Sequence, residues 1–362
     1  MTTEEKKPRI ILFDIEANGF LDEVTKVHCL VLKDSGVIHR YRGKDIEVGL
    51  KHLLLADKMV AHNGIKYDIP VLNKIYPWFK PKRSQVWDTL VLSRLIYPDL
   101  GRMLDEELTA RGKLPSRLWG SHSLEAWGFR LGNPKDDYQG TWEEWNQEME
   151  DYCEQDVHAL GTLFDNLEDA AYDPRSILLE HQVAWLIAAQ ERFGVRFNTR
   201  EAYKLYAEWS GLKLDAEKKL KDRFGCWYKK DQEVEPKVNN ATRGITKGVP
   251  YTKVKLIQFN PGSRQHIADR LISKYGWKPR VFTPSGQPQI DESIISGLPK
   301  TIKEKELLAE YLLMVKRLGQ LADGDNGWIR LEKNGRIHGS VITNGAVTGR
   351  ATHASPNLGQ IP

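Results

Sequence analysis

The sequence predicts an α/β domain built on one central sheet, followed by a mainly helical region and a short β-rich ending. Strand-like and helical patterns alternate up to about residue 172, four helical patterns then follow, and a hairpin signal comes last. At 362 residues, with 40% hydrophobic and 28% charged side chains, the chain is long enough for two or three domains with their own cores.

The first element is the apolar run at residues 9–16, Arg-Ile-Ile-Leu-Phe-Asp-Ile-Glu, which predicts a buried strand. Side chains alternate between the two faces of a strand, so Asp14 and Glu16 share one face with Ile10 and Leu12. Neighbouring carboxylates at the end of a buried strand repel each other unless a cation or a shared proton compensates. The pair therefore indicates a divalent-metal site, and the alternative is a strand end that frays into water.

The rest of the first domain consists of shorter elements. In chain order we predict strands at 26–32, 37–41 and 59–61, helical sequence up to residue 73 with Asp68 in its early turns, and helices at 90–96 and 123–131. A long helix is predicted from about Trp142 to Tyr172, and Asp156 falls on its apolar line between Tyr152 and Leu160. An acid on a buried stripe needs a partner, which singles Asp156 out from the other acids of this helix.

The second half of the sequence predicts an apolar helix at 177–193 that ends at Gly194. A long amphipathic helix follows, which is capped by Asn198 and ends at Gly225. Residues 228–254 predict an exposed loop, and further helices are predicted at 263–275 and 302–318. We expect the amphipathic helix and the last helix to pack as an antiparallel pair. Residues 211–255 carry twelve Lys/Arg and six Asp/Glu, which indicates either a polyanion partner or a solvated loop.

The chain ends on a hairpin signal, in which residues 328–332 and 337–342 flank the turn Asn334-Gly335. A two-stranded hairpin is marginal by itself, so we expect a missing or separate piece of protein to complete this region. No apolar run is long enough to cross a membrane and the amino terminus lacks a signal peptide, so a cytoplasmic protein is expected. Cys29, Cys153 and Cys226 are interpreted as packing residues because they are odd in number and scattered.

Three motifs resemble those of the DEDD exonucleases, tyrosine subclass, which have a ribonuclease-H-like fold. They are Phe-Asp-Ile-Glu (Asp14, Glu16), Asn63-Gly64-x-x-Tyr67-Asp68 and Tyr152-x-x-x-Asp156. The resemblance implies two divalent metal ions, Mg²⁺ with Mn²⁺ as a substitute, held by four carboxylates. Asp14 would bridge both ions, Glu16 and Asp156 would complete the first site, and Asp68 would hold the second. Tyr152 would orient the attacking water. Hard cations prefer such oxygen ligands.

Over nearly the whole chain the sequence resembles the family-A replicative DNA polymerases of short-tailed bacteriophages. The segments that carry the resemblance are residues 62–64, 88–95, 120–128, 259–261, 338–340 and 348–352. It implies an α/β ribonuclease-H-like exonuclease domain followed by a mainly helical thumb and an incomplete α+β palm. The implied boundaries are 1–172 for the 3′–5′ exonuclease, 173–199 for a linker and first palm helix, 200–325 for the thumb, and 326–362 for the start of the palm.

The same resemblance implies DNA as the partner, both as primer-template and as a single-stranded 3′ end. Arg350 and Thr348 would contact the primer-template, while Lys247, Lys253 and Lys255 would meet phosphate. After Asp325 the only acid is Glu332, so polymerisation would need a separate palm and fingers fragment or subunit. An additional processivity factor is compatible with the pattern, but the short segment between Trp227 and Phe259 argues against thioredoxin.

The leading hypothesis is therefore a proofreading 3′–5′ exonuclease that forms the DNA-holding part of a phage replicase. One alternative is a stand-alone DEDD exoribonuclease with the same four acids. Another is a non-catalytic DNA-binding scaffold subunit of a split polymerase. Comparable digestion of RNA and DNA would favour the first alternative, and DNA binding without nuclease activity would favour the second.

Overall fold

The computed structural model describes residues 7–134, 138–170 and 172–360 of the chain. Its strands are β1 (Ile10–Ala17), β2 (Val27–Asp34), β3 (Val37–Arg42), β4 (Lys58–Ala61), β5 (Val86–Asp88), β6 (Val195–Arg196), β7 (Cys226–Val234), β8 (Tyr251–Gln258), β9 (Glu332–Lys333), β10 (Arg336–Ile337), β11 (Ser340–Ile342) and β12 (Thr352–Ala354). Its α-helices are α1 (Ile46–Leu53), α2 (Asp68–Ile75), α3 (Thr89–Ile96), α4 (Glu106–Ala110), α5 (Leu124–Arg130), α6 (Gln147–Asp169), α7 (Pro174–Phe193), α8 (Thr199–Phe224), α9 (Arg264–Tyr275), α10 (Glu292–Ser296), α11 (Lys305–Leu318) and α12 (Trp328–Leu331).

The chain divides into two compact units. The first comprises residues 1–195 and 338–362, and the second comprises residues 196–337. Both contain helices and strands, so the mixed α/β character that the sequence predicts is confirmed. Among the described residues, none of the helices combines the length and the apolar character needed to cross a bilayer.

The first unit is built on a five-stranded sheet with the order β3-β2-β1-β4-β5. β1, β2 and β3 run antiparallel to their neighbours, and β4 and β5 are added parallel to β1. β1 pairs with β4 only from Ile10 to Leu12, and it continues beyond that point to Ala17. This extension of β1 carries the two acids predicted to bind metal.

The sheet of the first unit is covered on both faces, which makes a three-layer arrangement. Ile11, Phe13 and Ile15 of β1 are buried on one face, in a core shared with α1, α2 and α7. Leu12 lies on the other face, where α3, α5 and α6 supply the core. The predicted division of β1 into two faces is therefore confirmed, and the face that carries Asp14 and Glu16 is covered by α6.

The second unit has its own core between α8, α9, α10 and α11. α8 begins after Asn198, whose side chain accepts a hydrogen bond from Glu201 N at 3.3 Å, and ends at Gly225, which has a φ of 65°. Near its start, Tyr206 donates a hydrogen bond to Asp323, which follows α11, so α8 and α11 are antiparallel as predicted.

Three local predictions were wrong. Residues 228–254 are exposed as predicted but are not simply a loop, because β7 and β8 pair there as a long antiparallel ribbon. Residues 328–331 are helical, so the terminal hairpin keeps only the turn at Asn334 and Gly335 and two residues on each side. Cys226 is exposed at the start of the ribbon and is not a packing residue.

Candidate metal centre

Asp14 and Glu16 lie side by side on β1, opposite Val31 and Cys29 of β2. Ligand atoms of Asp14, Glu16 and Cys153 all lie within 4.8 Å of one another. Glu16 is only 9% exposed, so a negative charge there is largely removed from water. Two carboxylates at this spacing repel each other, and a bound cation would relieve the repulsion.

Asp68 is the first residue of α2 and is 3% exposed. The backbone groups of Asp68 itself and of Ile15, which lies between the two acids of β1, act to lower the pKa of Asp68, but burial outweighs them. Ile15 lies beyond the stretch of β1 that pairs with β4, so the loop that follows β4 can approach its backbone on that side. Burial above all, with the negative charges of Asp88 and Asp156, raises the pKa of Asp68 to about 7.

The loop between β4 and α2 is held by Asp88 at the end of β5. The buried carboxylate of Asp88 accepts hydrogen bonds from Asn63 N at 3.0 Å and Ile65 N at 3.1 Å, and it also caps α3 through Leu90 N at 2.9 Å. Asn63 has a φ of 64°, in the left-handed region that Asn tolerates. A Cβ at Gly64 would approach Ala61 Cβ to 2.6 Å, so the loop needs glycine there.

The helix α6 brings Asp156, Cys153 and Tyr152 to the same place. Asp156 is 7% exposed, and its charge acts on Asp68, so the predicted buried acid of this helix is confirmed in its burial. Cys153 is fully buried and its Sγ donates to Asp14 Oδ2 at 3.5 Å. Tyr152 is half-buried, with its ring centroid 6.0 Å from that of Tyr138.

The structure thus brings the four predicted acids to one end of β1. Asp14 and Glu16 share the 4.8 Å group, which among the described residues does not include Asp68 or Asp156. Asp68 and Asp156 interact with each other, since the negative charge of Asp156 helps to raise the pKa of Asp68. Buried carboxylates that accumulate negative charge in this way fit a hard divalent cation.

Tyr67 and Cys153 also lie beside these acids, which the sequence did not predict. Burial, together with the charges of Asp68, Glu16 and Asp14, raises the pKa of Tyr67 to about 12, so Tyr67 adjoins three of the acids. Its hydroxyl donates to Gly19 O at 2.9 Å. Tyr67 precedes Asp68 in a motif that the sequence shows, but Cys153 could have been found only from its position three residues before Asp156.

The residues predicted to contact DNA lie away from these acids in sequence and are exposed. Arg350 and Thr348 stand in the connection between β11 and β12, where Arg350 Nε donates to Thr348 Oγ1 at 3.1 Å. Lys253 and Lys255 lie on β8, and Lys247 lies in the connection between β7 and β8. Exposure of this kind is usual for charged residues at a protein surface.

Two phage proteins are similar to nearly the whole chain. The DNA-directed DNA polymerase of Enterobacteria phage T3 is 38% identical, and that of Escherichia phage T7 is 37% identical. Each alignment covers 98% of this chain and 63% of the polymerase, so the chain spans less than two thirds of the length of these relatives. Both alignments run over 443 positions, more than the 362 residues of the chain, so the relatives contain internal segments that this chain lacks.

A solved structure shares the fold. It is the POL domain of Pol1 from M. smegmatis in complex with DNA primer-template and dNTP, with a TM-score of 0.63 over 99% of this chain and 53% of that chain. The sequence identity is 16%, so the similarity concerns the fold alone. No protein-family model matches the chain.

Proposed function

We propose that the chain is the proofreading 3′–5′ exonuclease and DNA-holding part of a bacteriophage DNA polymerase of family A. The observation that supports the nuclease is the pair Asp14 and Glu16 at the end of β1, together with the charge interactions that involve Asp68 and Asp156. The similarity to the phage T3 and T7 DNA-directed DNA polymerases supports DNA as the substrate class.

The four carboxylates would hold two divalent ions, Mg²⁺ or Mn²⁺. Bound there, the ions would supply an activated water and charge stabilisation for phosphodiester hydrolysis. The chain contributes the geometry: β1 fixes Asp14 and Glu16, the loop held by Asp88 fixes Asp68, and α6 fixes Asp156. Tyr152, one helical turn before Asp156, would orient a water at the scissile phosphate.

The remaining assignments follow the same proposal. Residues 1–172 form the exonuclease, 173–199 the linker and first palm helix, 200–325 the thumb and 326–362 the start of the palm, of which residues 361–362 lie outside the described residues. The DNA-holding role falls to Arg350 and Thr348, which would contact primer-template, and to the lysines at 247, 253 and 255, which would contact phosphate. The basic ribbon of β7 and β8 supports that second role.

The proposal also gives the chain a palm and fingers part as its partner in polymerase catalysis. The T3 and T7 relatives extend over more sequence than this chain matches, and α7 carries apolar side chains that another protein surface could cover. Leu178, Leu186 and Phe193 of this helix are 53%, 64% and 68% exposed. Mixing the chain with the palm and fingers part of such a phage polymerase should therefore produce a complex.

The nuclease is tested with purified chain, Mg²⁺ and a single-stranded DNA labelled at its 5′ end. We expect a ladder that shortens from the 3′ end and releases nucleoside monophosphates. Asp14→Ala and Asp156→Ala should abolish the ladder, while Glu143→Ala, which removes an exposed acid of the same unit, should leave it unchanged. Activity that survives both site substitutions would reject the assigned centre.

Two further measurements separate the alternatives. Digestion of an RNA of the same sequence at a comparable rate would favour an exoribonuclease. DNA binding without hydrolysis in either Mg²⁺ or Mn²⁺ would leave only a scaffold role for the chain.

A further inference from the structure

One carboxylate oxygen of Glu191 joins three segments of the first unit. Glu191 lies in the last turn of α7, and its Oε1 accepts from Lys66 Nζ at 2.8 Å, from Val341 N at 2.6 Å and from Ser340 Oγ at 3.2 Å. Lys66 Nζ also donates to Val341 O at 3.3 Å. The Glu191 carbonyl accepts a further hydrogen bond from His338 Nδ1 at 2.8 Å.

These contacts are charge-assisted and partly shielded from water. The side chains of Lys66 and Glu191 are 28% and 18% exposed, so their attraction is screened less than that of a surface pair. Hydrogen bonds to ionised groups are also roughly twice as strong as neutral ones. Together Glu191 and Lys66 use both the N–H and the C=O of Val341, the central residue of β11.

Each end of this contact leads to a proposed binding site. Lys66 lies two residues before Asp68, in the loop that Asp88 anchors from the other side through Asn63 and Ile65. β11 pairs with β12, and the connection between these strands carries Thr348 and Arg350. A shift of the hairpin formed by β11 and β12 would therefore pull directly on the loop that presents Asp68.

We infer that Glu191 is a positioning residue that couples the hairpin of β11 and β12 to Asp68, so that primer-template DNA and a divalent ion alter each other's affinity. The inference rests on the proposed function, because it needs DNA at the hairpin and metal at the acids. Coupling between two sites is reciprocal, so the change can be measured on either ligand. We expect bound metal to change the affinity for DNA by a factor of about five or more, which is at the lower end of the usual range for coupled sites.

The test measures DNA affinity by fluorescence anisotropy, with a primer-template whose 3′ end carries phosphorothioates that resist hydrolysis. Each protein is titrated in EDTA and in saturating Mn²⁺, and the ratio of the two dissociation constants is the readout. The folded fraction of each variant is measured in EDTA and in Mn²⁺ by circular dichroism, and each dissociation constant is corrected for it, because bound metal also stabilises the folded state. In wild-type protein we expect the ratio to differ from one by about fivefold or more.

Glu191→Gln removes the charge but keeps an acceptor, and Lys66→Met breaks the same contact from the other side. Both should bring the ratio closer to one than in wild type, and Asp14→Asn should bring it closest to one because the metal effect needs bound metal. The matched control is Glu168→Gln, which removes the carboxylate of the Lys58–Glu168 ion pair in the same unit and should keep the wild-type ratio.

A wild-type ratio of one, or an unchanged ratio in both Glu191→Gln and Lys66→Met, would overturn the inference. If Glu191→Gln fails to fold, Lys66→Met alone decides the outcome. The two proposals fail separately: loss of coupling leaves nuclease activity and its dependence on Asp14 intact, whereas a protein without nuclease activity can still show the ratio.

Discussion

Replacing Asp68 by Asn should stabilise the metal-free protein, and the gain should be larger at pH 8 than at pH 5. Burial, reinforced by the charges of Asp88 and Asp156, raises the pKa of Asp68 from 3.8 to about 7. At pH 5 the folded protein therefore holds Asp68 protonated and neutral, whereas at pH 8 it holds a buried negative charge. Asn is neutral at both pH values.

The magnitude follows from the linkage between protonation and folding. A group whose folded pKa is raised contributes stability below its unfolded pKa, and this stability is lost as the pH rises through the folded pKa. One pKa unit corresponds to about 1.36 kcal/mol. Asp68 alone should then lower the free energy of unfolding by about 2 to 3 kcal/mol between pH 5 and pH 8. For a unit of this size that is about 5 to 10 °C in Tm.

Thermal unfolding in EDTA at pH 5, 6, 7 and 8 measures the difference between Asp68→Asn and wild type. Glu143→Gln, which neutralises an exposed acid, should show no such dependence. A stability difference that stays constant from pH 5 to pH 8 would refute the electrostatic reasoning. Saturating Mn²⁺ at pH 8 should reverse the order, because a ligand that binds only the folded wild type stabilises it, whereas the Asp68→Asn variant would bind metal poorly.

Three further outcomes are expected. Asp88→Ala should lower the free energy of unfolding by about 3 kcal/mol, measured by urea denaturation, because it leaves buried amides without an acceptor, and Asp88→Asn should cost less. Burial, with nearby arginines, lowers the pKa of His122 to about 4. The free energy of unfolding of wild type should therefore fall by about 3 kcal/mol as the pH falls from 6.5 to 4. Acid-unfolding curves of His122→Gln should lack this loss. The double variant Lys253→Gln/Lys255→Gln should reduce the slope of log affinity for duplex DNA against log salt by about two, and an unchanged slope would exclude both phosphate contacts.

Local patterns were enough to predict much of the site. The strand predicted at residues 9–16 gave the correct faces of β1, because side chains of any strand alternate between its two faces. The apolar line of α6 placed Asp156 on the buried side in the same way. Gly194 and Gly225 ended their helices as predicted, since both adopt a positive φ that favours glycine.

What the sequence did not predict depends on contacts between distant segments. β7 is exposed along most of its length, so no burial pattern marks it, and only its pairing with β8 defines the ribbon. Asp88 contacts the loop at Asn63 and Ile65, which lies at least 23 positions away in the sequence. Cys153 contacts β1, 139 positions away. Nothing in their immediate sequence neighbourhood encodes such partners.

The early end of the pairing between β1 and β4 also limits how this region can change in length. The segment from His62 to Tyr67 must turn out of the sheet and bring the first residue of α2 beside Ile15 of β1. One residue added or removed there would displace Asp68 by several ångströms. Insertions should therefore be rare in this segment and common in the connection between β7 and β8, where a change of length moves only exposed chain.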